Sequence, residues 1–304
     1  MTAFLFLWQN QGLLFPAKHN MTPPPLREVA ATPPATSAPN GCFATSALWA
    51  LVASSAGHPV LQAAAALPPT GALGETTRDH LLALYQGSHD GALSADLAAH
   101  VTAIREALQL AGGSPDGYWT QQQQDPYEFL LRLLEVAALE PAWLNAQCER
   151  CWVSGHLARE TPLAWPVYTW PAALPLQWEV SLDGALALQC PCATAGAPVL
   201  ETVLHRPRWL LVHVGRVLDS HFTKDRTCLT LPPCLGPLVL MGIVVHSGGG
   251  AASGHYTVFT RETAVAPWYY YDDAGLPDLQ TVVCDPLQDP YVGANAALLL
   301  YTGV

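Results

Sequence analysis

Three short strings, far apart in the chain, carry residue types that act together at a carbonyl carbon. Asn40-Gly41-Cys42-Phe43 stands near the start and Gly254-His255-Tyr256 stands late. Trp268-Tyr269-Tyr270-Tyr271-Asp272-Asp273 follows, with Asp272 seventeen residues beyond His255. A thiol nucleophile needs a base to take its proton and a third group to orient that base. Cys42, His255 and Asp272 supply those roles in that chain order, the set required for acyl transfer through a thioester. A lone cysteine ahead of a helix is usually an inert core thiol, so the joint occurrence of the strings, with the further motifs below, decides the reading.

The elements that must position these residues follow from the surrounding pattern. Gly41 leads into the apolar run Ser46-Ala47-Leu48-Trp49-Ala50-Leu51-Val52, which predicts a buried helix ending by Gly57-His58-Pro59. Cys42 then sits at a helix N-terminus, where the dipole favours a thiolate. A second helix is predicted from a Ser94 cap, with Leu97, Val101, Ile104 and Leu108 on one face and Gly112-Gly113 at its end. A third runs from Asp125 to about Leu139 and buries Phe129, Leu130, Leu133 and Leu134. Asp125 caps it, Pro126 suits its first position, and Glu128 completes a capping box worth ~1 kcal/mol. After Pro141 the pattern turns to strands: Trp209–Val217, Leu238–His246, His255–Thr260, Trp268–Asp272 and Ala297–Tyr301. Helices first and strands afterwards imply an α+β fold. Ser247–Ser253, rich in Ser, Gly and Ala, reads as a flexible loop between two strands. His246, between a strand and those glycines, reads as structural or loop-anchoring.

Composition bounds the function classes. The 304 residues suffice for one large domain or two ordinary ones. A net charge of −11 argues against nucleic acid and suits a basic protein partner. Charged residues make up 12%, half the ~25% of an average chain, yet no stretch nears the ~18 unbroken apolar residues of a membrane span. Met1–Phe15 is apolar without a basic start or an obvious small-residue cleavage site, and reads as a docking strand or arm for a protein partner, with a signal peptide as the lesser alternative. Pro16 to Pro39, with seven prolines, reads as an extended linker. Lys18 and Lys224 are the only lysines, which a GC-rich coding bias explains. Eight cysteines without an export signal point to an intracellular chain that uses thiols for catalysis or metal rather than for disulfides. Cys148 and Cys151 form one close pair, Cys190 and Cys192 another; Cys228, Cys234 and Cys284 are expected as buried free thiols.

Taken together, these residues resemble the ubiquitin-specific proteases, over roughly Ser37 to Val304. Asn40-Gly41-Cys42-Phe43-Ala44-Thr45-Ser46 is similar to the family's cysteine box, and Gln123-Gln124-Asp125-Pro126-Tyr127-Glu128-Phe129-Leu130 to its Gln-Gln-Asp helix. His246-Ser247-Gly248 through Gly254-His255-Tyr256 resembles the histidine box, Trp268–Asp273 the strand carrying the third residue, and Leu298-Leu299-Leu300-Tyr301 the closing strand. The resemblance implies a papain-like α+β hand: residues 1–36 as arm and linker, then a catalytic domain over 37–304, with a thumb about 37–144, fingers about 145–200 and a palm about 201–304. It implies ubiquitin or ubiquitinated proteins as partners and Cys42, His255 and Asp272 as the triad. Asp273 is the second choice for the third role, because neighbours on a strand face opposite ways. It also implies that Asp125, Glu128, Gly254 and Tyr256 meet ubiquitin's C-terminal tail. In the same way it makes Ser247–Ser253 a gate over that tail, and Cys148, Cys151, Cys190 and Cys192 ligands of a structural Zn²⁺, with no catalytic cofactor. The chain departs from the family at Ser37, where an asparagine helps hold the oxyanion, at Pro39, and at Thr45 and Trp49. Losing one oxyanion donor costs about 10²–10³ in turnover. Ser37, Asn40 or the Cys42 N–H is expected to compensate. Two other readings follow: a catalytically weak or inactive ubiquitin-binding module, and a protease for SUMO or another ubiquitin-like modifier.

Overall fold

The computed structural model describes residues 40–53, 71–90, 93–137, 142–147, 154–159, 167–171, 178–180, 186–188, 202–204, 209–216, 223–250, 253–274, 276–282 and 285–303. All lie in the second of the chain's two units, Met1–Thr32 and Pro33–Val304.

Helices come first: α1 (Cys42–Val52), α2 (Ala72–Asp90), α3 (Leu93–Leu110), α4 (Tyr118–Gln121) and α5 (Pro126–Val136). Strands follow: β1 (Ala142–Gln147), β2 (Ser154–Arg159), β3 (Val167–Pro171), β4 (Trp178–Val180), β5 (Leu186–Leu188), β6 (Thr202–Leu204), β7 (Trp209–Gly215), β8 (Cys234–Leu235), β9 (Leu238–Gly250), β10 (Ser253–Thr260), β11 (Tyr269–Asp272), β12 (Leu276–Thr281) and β13 (Ala296–Gly303), with a short helix α6 (Pro290–Asn295) before the last. The main sheet runs β1-β2-β3-β7-β13-β9-β10-β11-β12, with β8 on β9; β4, β5 and β6 form a second sheet. Only β3 and β7 pair in parallel among the described strands. This is the α+β arrangement expected from the order of patterns.

Both faces of the central strands are buried, and neighbouring residues divide between two cores. Leu211, Val244, Leu298 and Leu300 pack toward the helices. Leu210, Val212, Ile243, Val245, Leu299 and Tyr301 pack on the other side. That is why these strands read as unbroken apolar runs rather than as alternating ones. Every residue of α1 is buried, so this helix lies inside the molecule. Ala50 crosses β9 at Gly242, where an added Cβ would come within 3.3 Å of the Ala50 side chain. Phe43 meets Phe129 of α5 edge to face at 5.6 Å.

The helices differ from expectation in detail. α1 stops at Val52, short of Gly57. On α3, Leu97, Val101, Ile104 and Leu108 are buried as expected. α2, α6 and β12 have no counterpart in the sequence reading, because α2 is largely polar and the other two are short. Asp125 does cap α5, accepting from the Tyr127 N–H at 2.7 Å. Glu128 does not close a capping box; its carboxylate accepts the Tyr118 hydroxyl of α4 at 2.9 Å.

Candidate active site

Cys42 is the first residue of α1 and is 7% exposed. Gly41 precedes it without a side-chain cap, so a side-chain acceptor does not occupy the first-turn N–H groups. Thr45 fixes the turn, both its N–H (2.9 Å) and its hydroxyl (3.1 Å) donating to the Gly41 carbonyl. Asn40 holds a left-handed φ of 51°, which asparagine tolerates. Its amide donates to the Gln121 carbonyl at 2.9 Å, tying the chain's approach to Cys42 onto α4.

His255 lies on β10 and Asp272 ends β11. His255 Nε2 and Asp272 Oδ1 are 2.6 Å apart, which leaves Nδ1 as the ring nitrogen for Cys42. Burial alone would keep the imidazole neutral, but hydrogen bonds to Asp272 and Cys42 and their charges outweigh it and push its pKa up to about 10. Burial works against the Asp272 carboxylate too; the hydrogen bond from His255 and the Ala274 N–H, at 2.9 Å, hold it below the ordinary range. Asp273 corrects the sequence reading. β11 ends at Asp272, so Asp273 lies in a turn and not on the opposite face of a strand; its Oδ1 is 3.6 Å from His255 Nε2. Burial first and the Asp272 charge second raise Asp273 to about 6, against the pull of His255.

Residues 238–301 match the family model "Ubiquitin carboxyl-terminal hydrolase", a span that holds His255 and Asp272 but begins well after Cys42. No curated protein matches the chain. Among solved structures, a SAGA DUB module of Ubp8, Sgf11, Sus1 and Sgf73 bound to monoubiquitin aligns with TM-score 0.55 and 15% identity, over 88% of this chain and 67% of that one. The same module bound to ubiquitin aldehyde gives 0.51 and 15%, over 88% and 68%. A variant module gives 0.53 and 14%, over 93% and 71%. The fold is that of a ubiquitin-specific protease.

In this fold Cys42 is carried by the helical half of the described residues, and His255 and Asp272 by the main sheet. Asp125 faces His213 of β7, 3.4 Å from its Nε2, and Tyr127 stacks flat on the same imidazole with centroids 4.5 Å apart. Burial would raise Asp125, but the charge and hydrogen bond of His213 and the Tyr127 N–H hold it low. Tyr256 is buried beneath the palm surface against His246, with ring centroids 4.5 Å apart. His246 is neutral: burial and the Lys224 charge press its pKa down to about 4, so it is no rival to His255 as a charged acid. Gly254 has a φ of 150°, and an added Cβ would lie 2.1 Å from the Ser247 carbonyl oxygen and 2.5 Å from His246 Nε2.

The expected flexible loop at Ser247–Ser253 is mostly strand. β9 continues to Gly250, which pairs with Ser253. It is held from outside: Lys224 donates to the His246 carbonyl and to Asn295 Oδ1 (2.8 Å), Arg226 donates to the Gly248 carbonyl at 3.0 Å, and Thr223 bridges Gly250. Burial, with the charges of Arg216 and Arg226, lowers Lys224 to about 8. Sequence reasoning treated Lys224 only as a scarce lysine and passed over His213 and Tyr270.

Trp49 is buried on Tyr271 with ring centroids 5.0 Å apart. Cys228 and Cys234 are exposed, contrary to the expectation of buried thiols: both fall in the peripheral stretch around β8. Ser37, Cys148, Cys151, Cys190, Cys192 and Cys284 lie outside the described residues.

Proposed function

We propose that the chain is a thiol-dependent deubiquitinase, hydrolysing the isopeptide or peptide bond after the C-terminal glycine of ubiquitin. The observation that carries this reading is His255 held at 2.6 Å by Asp272 and hydrogen-bonded to Cys42, at the start of a buried helix in this fold. His255 takes the thiol proton, and Cys42 Sγ attacks the glycine carbonyl carbon. The C–N bond breaks as His255 returns the proton to the leaving lysine amine, and a thioester remains. Water gives a proton to His255 and attacks the thioester; the C–S bond breaks, the ubiquitin carboxylate leaves and the thiol is restored. The Cys42 N–H, at the uncapped start of α1, is the donor best suited to the oxyanion, since Asn40 already spends one amide N–H on Gln121. The Asp125 carboxylate, kept charged beside His213, suits a cationic residue in the substrate tail. Support for ubiquitin as the modifier comes from the Ubp8 modules bound to monoubiquitin and to ubiquitin aldehyde.

Structural zinc belongs to the same proposal. In the sequence, Cys148 and Cys151 stand between the antiparallel partners β1 and β2, and Cys190 and Cys192 between β5 and β6, also antiparallel partners. Two such thiolate pairs fit a tetrahedral Zn²⁺. Zinc there would fasten the two segments together and take no part at Cys42. The free thiols of Cys42, Cys228 and Cys234 suit a reducing, intracellular setting.

The test is reaction with ubiquitin carrying a C-terminal alkyne, for wild type and Cys42→Ala, read by intact mass. An adduct on wild type alone is the expected result. Ubiquitin binding without any adduct would instead favour the inactive-binder reading, and an adduct with a SUMO alkyne alone would change the substrate.

A further inference from the structure

The ladder places a line of hydroxyl groups behind the His255–Asp272 pair. Ser247 stands directly opposite His255 on β9, and Phe259 stands opposite Tyr270 on β11. With the strand period of two, Ser247, His255, Thr257, Tyr270 and Asp272 therefore share one face of the sheet. The Tyr270 hydroxyl donates to Asp272 Oδ2 at 3.4 Å, the oxygen that His255 does not use, and it also meets the Thr257 side chain. Ser247 Oγ and the Tyr291 hydroxyl are 2.5 Å apart. Tyr291 is itself fixed in the first turn of α6, where its N–H donates to Asp289 Oδ1 at 2.8 Å. The two phenols are close enough to feel each other: burial, then the Asp272 charge, then Tyr291 among the lesser causes raise Tyr270 above the ordinary phenol range.

We propose that Tyr270 and Tyr291 are positioning residues that brace the His255–Asp272 pair. Tyr270 fixes the carboxylate through its second oxygen, so that Oδ1 points at the imidazole. Tyr291 holds β9 through Ser247, the residue level with His255, so the histidine's own strand cannot shift along its neighbour. The sequence reading gave neither Tyr270 nor Tyr291 a role, so the brace rests on what the fold places beside Asp272 and Ser247. It rests on the reading of Cys42, His255 and Asp272 as the reacting set.

The test is the rate of Cys42 alkylation by iodoacetamide at pH 6, where an unactivated thiol is protonated, with exposed Cys228 and Cys234 as internal references. Tyr270→Phe, Tyr291→Phe and Ser247→Ala should each slow Cys42 roughly fivefold, the worth of one ordinary hydrogen bond, and leave the reference thiols unchanged. Combining Tyr291→Phe with Ser247→Ala should slow it no further, since both remove the same bond, and Ser247→Thr should retain the wild-type rate. With a ubiquitin fluorophore substrate, the same variants should lose kcat and keep KM. Wild-type alkylation rates in the two Tyr→Phe variants, whatever their melting temperatures, would overturn the brace. A clear alkylation contrast in a chain that never cleaves ubiquitin would keep the brace and remove the ubiquitin reading.

Discussion

His255 touches two carboxylates, and their unequal surroundings assign the work. Asp272 takes the 2.6 Å contact and has its own donors; Asp273 stands at 3.6 Å and is raised to about 6. Because Asp272 helps lift His255 to about 10, the imidazolium persists through neutral pH and kcat/KM falls on the alkaline side as that proton is lost. Asp272→Asn should move the alkaline limb to lower pH and lower kcat far more than Asp273→Asn; a pH–rate profile of both variants checks this, and the reverse ranking would transfer the third role. The signs for stability follow from the same shifts. The raised His255 favours the folded state below about pH 6.5, an advantage lost as pH climbs through 10. The lowered Asp272 contributes above about pH 4, and loses its contribution on acidification. Asp273, raised, favours the folded state only at low pH and ceases to do so as pH rises through 6. Cys42, His255 and Asp272 were legible in the sequence because their motifs are local strings. Asp273 was misread because the strand's last residue cannot be fixed from propensity, and one residue decides which way a carboxylate turns. Tyr270 went unremarked because its role depends on what a different strand places beside it.

The β9–β10 hairpin shows how an element can look loose in sequence and be tightly specified in space. Its glycines suggest flexibility, yet Gly248 and Gly254 are there because their neighbours leave no room. A Cβ at Gly248 would lie 2.6 Å from the Ser253 carbonyl oxygen. Gly254→Ala adds a clash with the Ser247 carbonyl oxygen to an unfavourable φ, and should cost about 3 kcal/mol or more and misplace the adjoining His255. Gly249→Ala is the control: an added Cβ there meets nothing within 4 Å. Thermal melting with kcat/KM for both variants checks the contrast, and equal behaviour would return the segment to a flexible loop. Helix α3 was legible for the opposite reason, since its apolar stripe at helical spacing needs only local pattern. The straps at Lys224 and Arg226 were not, because a cation bonded to backbone carbonyls leaves no mark on the sequence it holds.

Across the described residues, two apolar cores lie on either side of β7, β13 and β9. The proposed zinc would add to the stability they give. About one equivalent of zinc per chain should appear by elemental analysis and be lost in Cys148→Ser, with a lower melting temperature; metal-free wild type of unchanged stability would remove the zinc. The fold class was legible because helix-period and strand-period segments fall in separate halves. The order of strands was not, since β13, last in the chain, sits between β7 and β9, and no local signal announces an insertion from so far away. Fully committed strand middles leave the rim as the part of the molecule open to evolutionary trial. Every side chain in the middle of β9 or β13 answers to one core or the other, whereas Gly249 and the turn after β10 answer to neither. Substitutions can therefore accumulate at the sheet's margin at little risk to the folding of the strands that carry His255 and Asp272.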